Sequence, residues 1–138
     1  MKIKKILVPL DGSSFSEKGL KVAIEQAKLM GAEICGVNVV SIHPTLAATV
    51  LDYKKFATKQ SEKILNTAKL KCESENIRFT SKILYGKPSS KIAEFASKEK
   101  SDLIIIGSRG LSGIKHSILG SIASAIVQKS KISVMVIK

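Results

Sequence analysis

The sequence predicts one α/β domain over residues 1–138, a Rossmann-like open twisted sheet of five parallel strands in the order 3-2-1-4-5 with four helices on both faces. Three observations lead there. Short, continuously apolar runs such as ILV and LIII read as strands buried on both faces. Segments with apolar residues at helical spacing alternate with those runs one for one, the pattern that builds a parallel sheet through crossover helices. Glycine, proline, serine or aspartate punctuates the junctions.

The first strand is read over Lys4 to Leu10 (KKILVPL), stopped by the turn formers Asp11, Gly12 and Ser13. Ser14 stands three residues before Glu17, the spacing of a capping box, and Leu20, Ala23, Ile24, Ala27 and Met30 mark the inward face of a helix that Gly31 ends. Glu33 to Val40 (EICGVNVV) forms the second strand. His43 and Pro44 open a stretch without a clear period, read as a loop to about Tyr53. From there to Glu75 the residues Ala57, Ile64, Leu65, Ala68 and Cys72 recur at helical spacing among charged residues. Phe79 to Tyr85 is the third strand, closed by Gly86 and Pro88. Ser89 or Ser90 caps a third helix running to about Lys98, with Ile92, Phe95 and Ala96 inward. Asp102 to Ile106 is the fourth strand, a last helix from about Gly120 buries Ile122, Ala123, Ile126 and Val127, and the final strand is Ile132 to Ile137.

Composition narrows the class of function. With 44% hydrophobic and 25% charged residues the chain is an ordinary globular one, long enough to bury roughly two-thirds of its unfolded surface. No apolar run approaches the length of about 20 residues that spans a membrane, and the first residues lack the apolar stretch and cleavage site of a secretory leader. A cytoplasmic protein without membrane association is expected. Cys35 and Cys72 lie in apolar segments with no metal or redox spacing and read as structural thiols. His43 and His116 have no partner at metal or triad spacing and read as solvent-facing loop residues. The net charge of +12 suits an anionic partner, but 21 of the 23 basic residues are lysine and aromatics are only 4%, a poor composition for reading nucleic-acid bases. No specific nucleic acid is expected.

In an open parallel sheet, ligands bind beyond the carboxyl ends of the strands, where the strand order reverses. Two strand ends carry suitable chemistry: Pro9, Leu10, Asp11, Gly12 and Ser13 after the first strand, and Gly107, Ser108, Arg109 and Gly110 after the fourth. Nine residues separate Gly110 from Gly120 and Ser121, at the start of the last helix. Glycines let main-chain N–H groups approach an anion, and a helix N-terminus supplies more of them with a favourable dipole. Ser121 adds a hydroxyl, and Arg109 and Lys115 add charge. The result is a phosphate cradle without a Walker lysine. The plainer reading of Asp11 is a turn former ahead of the first helix.

The spacing of Gly107, Gly110 and Gly120-Ser121 resembles the ATP motif of the universal stress protein family. The opening ILVPLDGS and closing SVMVIK resemble that family's first and last strands, so the resemblance covers the whole chain. It implies an ATP-binding regulator of the stress response, with Mg2+ or Mn2+ as a possible companion ion, and a homodimer paired through the C-terminal strand, Ile132 to Ile137. It further implies that Pro9, Leu10 and Asp11 lie beside the base and ribose, with Asp11 near any metal, and that Val39 contacts adenine. Ile106 and Gly107 then border the ribose, and Ser108, Arg109, Gly110, Gly120, Ser121 and Ile122 follow the phosphates. Ile106 and Arg109 fall at variable positions of the family.

Enzymatic readings are less well supported. Phosphoryl transfer needs positioned metal ions and a group that orients the nucleophile, and the loop shows neither GxxxxGK[ST] nor a second acidic ligand. An adenylyl-transferring enzyme is the rival, but the first strand end lacks paired histidines or a Ser-Gly-Gly loop. A dehydrogenase lacks its GxGxxG, and a phosphate-accepting response regulator lacks an aspartate after the third strand, which ends Leu84-Tyr85-Gly86. A ligand-free interaction protein is disfavoured by the intact glycine spacing.

Overall fold

The computed structural model describes residues 1–42, 47–111 and 119–138. His43, Pro44, Lys115 and His116 lie outside them. The elements run β1 (Lys5–Pro9), α1 (Ser14–Met30), β2 (Glu33–Val40), α2 (Ala47–Ser74), β3 (Phe79–Tyr85), α3 (Pro88–Lys98), β4 (Leu103–Gly107), α4 (Ser121–Lys129) and β5 (Ser133–Ile137). They form one sheet in the order β3-β2-β1-β4-β5, parallel throughout, as the apolar runs and alternating helices predict. β1 lies between β2 and β4, with Leu7 opposite Cys35 on one side and Ile104 on the other. Strand order reverses there, so the carboxyl ends of β1 and β4 face a natural crevice.

Strand alternation sorts the apolar residues into two layers. Ile6, Val8 and Leu10 pack with Leu20, Ala23 and Ala27 of α1 and with Leu65, Ala68 and Cys72 of α2. Leu7, Ile104 and Ile106 pack on the other face with Ile92 and Ala96 of α3 and Ala123 and Ile126 of α4. Burial in the first layer pushes the Cys72 thiol up to about 11, and burial also raises Cys35. Both are free cysteines, in keeping with a structural role.

Four local expectations are corrected. The α1 cap is Ser13 rather than Ser14: its backbone is extended and its hydroxyl accepts from the Ser16 N–H at 3.1 Å, which moves Glu17 one place beyond the reciprocal capping-box position. The third helix begins at Pro88 after Lys87, with no serine cap, because proline's fixed φ and missing N–H suit the first helical position. The stretch read as a loop up to Tyr53 is helical from Ala47, since AATVLDY extends an already nucleated helix instead of having to start one. Finally, Met30, Ile122 and Val127 are exposed. α4 is only nine residues long and buries the single stripe Ala123 and Ile126, leaving Ile122 and Val127 on its flanks. Among the described residues no helix is long and apolar enough to cross a membrane.

Candidate functional site

The site is built from two strand ends that hold each other. After β1 the Leu10 N–H donates to the Val37 carbonyl at 2.8 Å, and the chain then turns through Gly12, whose φ of +84° favours glycine. Asp11 sits at that turn with its carboxylate divided. Oδ1 accepts from the Ser13 N–H at 2.9 Å, and Oδ2 accepts from the Leu111 N–H at 3.2 Å. The turn-forming reading of Asp11 is therefore correct, and the second oxygen reaches across the switch point to the glycine loop.

That loop is pinned at its base. The Ser108 N–H donates to the Ile137 carbonyl at 2.7 Å, and the Gly120 N–H donates to the Ser108 carbonyl at 2.6 Å, so the residues on either side of 109–119 meet at one peptide. Each glycine has a steric reason. A Cβ on Gly107 would stand 2.6 Å from the Phe15 carbonyl oxygen, where α1 starts against β4, and one on Gly110 would stand 2.6 Å from Asp11 Oδ2. A Cβ on Gly120 would meet the main chain of Ser108 and Arg109 at 3.3 Å. Gly120 also serves as the α4 N-cap and brings no side chain to the helix N-terminus, whose first turn has no acidic residue.

Between these walls lies a cleft of about 250 Å³. Pro9, Leu10, Asp11, Val39, Ile106, Gly107, Arg109, Gly110, Gly120, Ser121 and Ile122 line it, which brings together every residue that the family resemblance assigns to the ligand but one. Ser108 stands outside the lining: it is buried, and its main chain ties the loop to β5. Sequence reasoning missed Ser16, Val37, Asn38, Pro88, Ile92, Leu111 and Ala123, which complete the lining. Most are apolar residues indistinguishable from core in a sequence. Asn38 is different, a polar residue inside the apolar run EICGVNVV, and that interruption is a readable signal.

The walls divide by chemistry. Val37, Val39, Pro88, Ile92 and Ile106 offer a flat apolar group a dry seat, while Gly110 and Gly120 bring no side chain and the first turn of α4, from Ser121, offers main-chain N–H groups to an anion. Together they fit a nucleotide. Asp11 is the only acidic residue in the described lining, and no three His, Cys, Asp or Glu side chains gather as a metal site among the described residues. A divalent ion here depends on oxygens that a ligand brings.

An open parallel sheet with a glycine-built loop and a lined crevice at its switch point defines a doubly wound α/β domain with its cleft where such sheets bind ligands. The chain belongs to the universal stress protein family, whose family model matches residues 2–138. It is 31% identical over 139 residues to universal stress protein MJ0531 of Methanocaldococcus jannaschii, an alignment covering 98% of this chain and 82% of that protein. The solved structure of MJ0577 from the same organism superposes with a TM-score of 0.93 at 27% identity, covering 100% of this chain and 97% of that one. Two more distant structures share the fold at 23% identity. One is a universal stress protein in complex with cAMP (TM-score 0.78, covering 100% of this chain and 99% of that one), the other an Archaeoglobus fulgidus protein in complex with dAMP (TM-score 0.73, covering 100% of both).

Proposed function

We propose that this chain is an ATP-binding member of the family, a cytoplasmic regulator whose partner affinity in the stress response depends on the bound nucleotide. The observation that carries the reading is the Asp11 bridge beneath a side-chain-free cradle: one carboxylate holds the β1 turn and the glycine loop together, and Gly110 and Gly120 keep side chains out of the cleft in front of the α4 N-terminus. Adenine lies against Val39, the ribose near Asp11, Ile106 and Gly107, and the phosphates along Gly110, Gly120 and Ser121, with Arg109 adding charge. The cAMP and dAMP complexes of proteins with this fold support an adenine nucleotide. Mg2+ or Mn2+ accompanies the phosphates, held partly by them.

The chain binds nucleotide and does not turn it over as its working role. A single acidic residue with both oxygens engaged by main-chain N–H groups is poorly suited to orient a nucleophile or hold two metal ions. The same reading includes a homodimer through β5. The test is direct: protein purified without added ligand is heated, and the supernatant is analysed by mass spectrometry, followed by calorimetry of nucleotide-free protein with ATP and Mg2+. Retained adenine nucleotide with micromolar or tighter ATP affinity is expected, with at most slow phosphate release. No binding up to millimolar ATP would overturn the reading.

A further inference from the structure

Asn38 stands on the β2 face that carries Ile34, among residues whose neighbours are apolar, and it is only 9% exposed. A buried amide is costly unless its groups are satisfied, so its partners reveal its task. Its Nδ2 donates to the Leu10 carbonyl at 2.7 Å, and its Oδ1 accepts from the Ser61 hydroxyl at 2.5 Å. Ser61 is itself 2% exposed, belongs to α2 and also lies 2.9 Å from the Ala57 carbonyl of its own helix. The Leu10 carbonyl is the last one before the Asp11–Gly12 turn. β1 has ended at Pro9, and Leu10 is 5% exposed, so water cannot take the place of the amide.

We infer that Asn38 is a positioning residue of the nucleotide site, with Ser61 as its anchor in α2. The amide fixes the plane of the Leu10–Asp11 peptide, and with it the direction in which Asp11 reaches Leu111 and faces the cleft. Asn38 also lines the cleft itself, on the β2 face opposite Val37 and Val39. The glycine loop, by contrast, is tied through Ser108 to β5 and to Gly120, with no link to Asn38 among these bonds. The amide therefore acts on the site through the Asp11 turn, and its loss falls first on the base and ribose half, because the two bonds at Ser108 still pin the phosphate loop. This inference rests on the proposed nucleotide reading.

The experiment compares wild type, Asn38→Asp and Ser61→Ala by calorimetry with two probes, ATP and inorganic tripolyphosphate, alongside thermal melts. Asn38→Asp keeps the size and the acceptor for Ser61 but sets a carboxylate oxygen against the Leu10 carbonyl. ATP binding is expected to weaken about tenfold in it, the loss of roughly one buried hydrogen bond, while tripolyphosphate binding stays within about twofold. Ser61→Ala, the gentler change, is expected to weaken ATP about threefold with the same split, and it supplies the comparison if the aspartate variant does not fold. Equal ATP affinity in wild type and the folded variants overturns the inference while leaving the nucleotide reading intact, as does an equal loss for both probes. Absence of ATP binding in wild type overturns both.

Discussion

A methyl group at position 110 would stand 2.6 Å from Asp11 Oδ2, so Gly110→Ala must turn the carboxylate away from the Leu111 N–H. The atom displaced is the end of a flexible side chain, and the stability cost should stay under about 1 kcal/mol. The loss falls on the bridge itself. ATP affinity is expected to drop roughly tenfold, and calorimetry beside a urea melt checks both halves of the statement. Asp102 illustrates a different residue-scale effect at the far end of the sheet. Its carboxylate accepts from the Lys4 and Lys5 N–H groups at 2.9 and 3.0 Å, and these bonds hold its carboxyl below the ordinary carboxylate value. A group depressed in the folded state stabilises above its unfolded pKa, about 3.9 for aspartate, and that contribution fades as pH falls through the folded value. Asp102→Asn should therefore cost stability at about pH 5 to 8, by less than about 1 kcal/mol because solvent screens the site. The gap from wild type should close below about pH 4 in acid titrations of the melting point. At this scale the sequence names the polar and glycine residues of the cleft, because their side-chain chemistry or lack of one sets them apart. It is blind to Val37, Ile92 and Ala123, whose apolar side chains do the same thing in a cleft wall as in a core.

At the scale of elements, β2 and β3 are legible to the residue, since turn formers and changes of polarity bound both runs at Glu33, Phe79 and Gly86. Helix starts are not, because two adjacent serines present identical capping chemistry and only the backbone decides between them. Gly12 at positive φ brings Ser13, not Ser14, into the extended cap conformation, and the Asp11 carboxylate fixes the Ser13 N–H. Ser13→Ala should thus cost about 1 kcal/mol from the lost bond to the Ser16 N–H, whereas Ser14→Ala, on an exposed residue, should change stability by less than about 0.5 kcal/mol. Urea denaturation of the pair distinguishes them, and equal losses would return the cap to Ser14. The helix ends follow one electrostatic plan. Every helix carries lysine in its last turn, Lys28, Lys71, Lys98 and Lys129, where the dipole is negative. Only α1 has an acid, Glu17, in its first turn. The N-terminal ends of α3 and α4, which border the cleft through Pro88 and Ser121, are left positive toward an anion.

For the whole molecule, the same plan places four of the 21 lysines behind the net charge of +12 at helix C-termini. The decisive large-scale feature is the contrast between the two edge strands. β3 is guarded: Thr80, Ser81 and Lys82 lie along its middle with Ser81 and Lys82 next to each other as polar cover, and α2 packs beside it. β5 reads SVMVI, with Val134 to Ile137 only half-buried and no charge or proline before Lys138. Exposed Ile122 and Val127 add apolar surface on α4, which packs against β5. An unprotected edge of this kind is open to pairing with its own copy, and a two-fold axis would close that assembly at two chains, the dimer proposed above. Val136→Lys should therefore shift the protein toward monomer. Val127→Lys, at a residue 47% exposed and free of packing cost, should weaken the dimer without lowering the melting point of the subunit. The glycine loop is not remote from this edge, although chain position alone suggests that it is. Val136 pairs with Ile106, and the Ile137 carbonyl holds the Ser108 N–H, so the proposed interface would lie one hydrogen bond from the cradle. Those bonds lie on the inner side of β5, toward β4, and survive when the outer side loses its partner. The monomeric variants should keep ATP affinity within about threefold of wild type, a change worth less than about 1 kcal/mol. Light scattering at micromolar concentration, paired with calorimetry, tests the two claims together. A monomeric wild type would remove β5 from the interface, and a monomeric variant that no longer binds ATP would show that the second subunit is needed to shape the cradle.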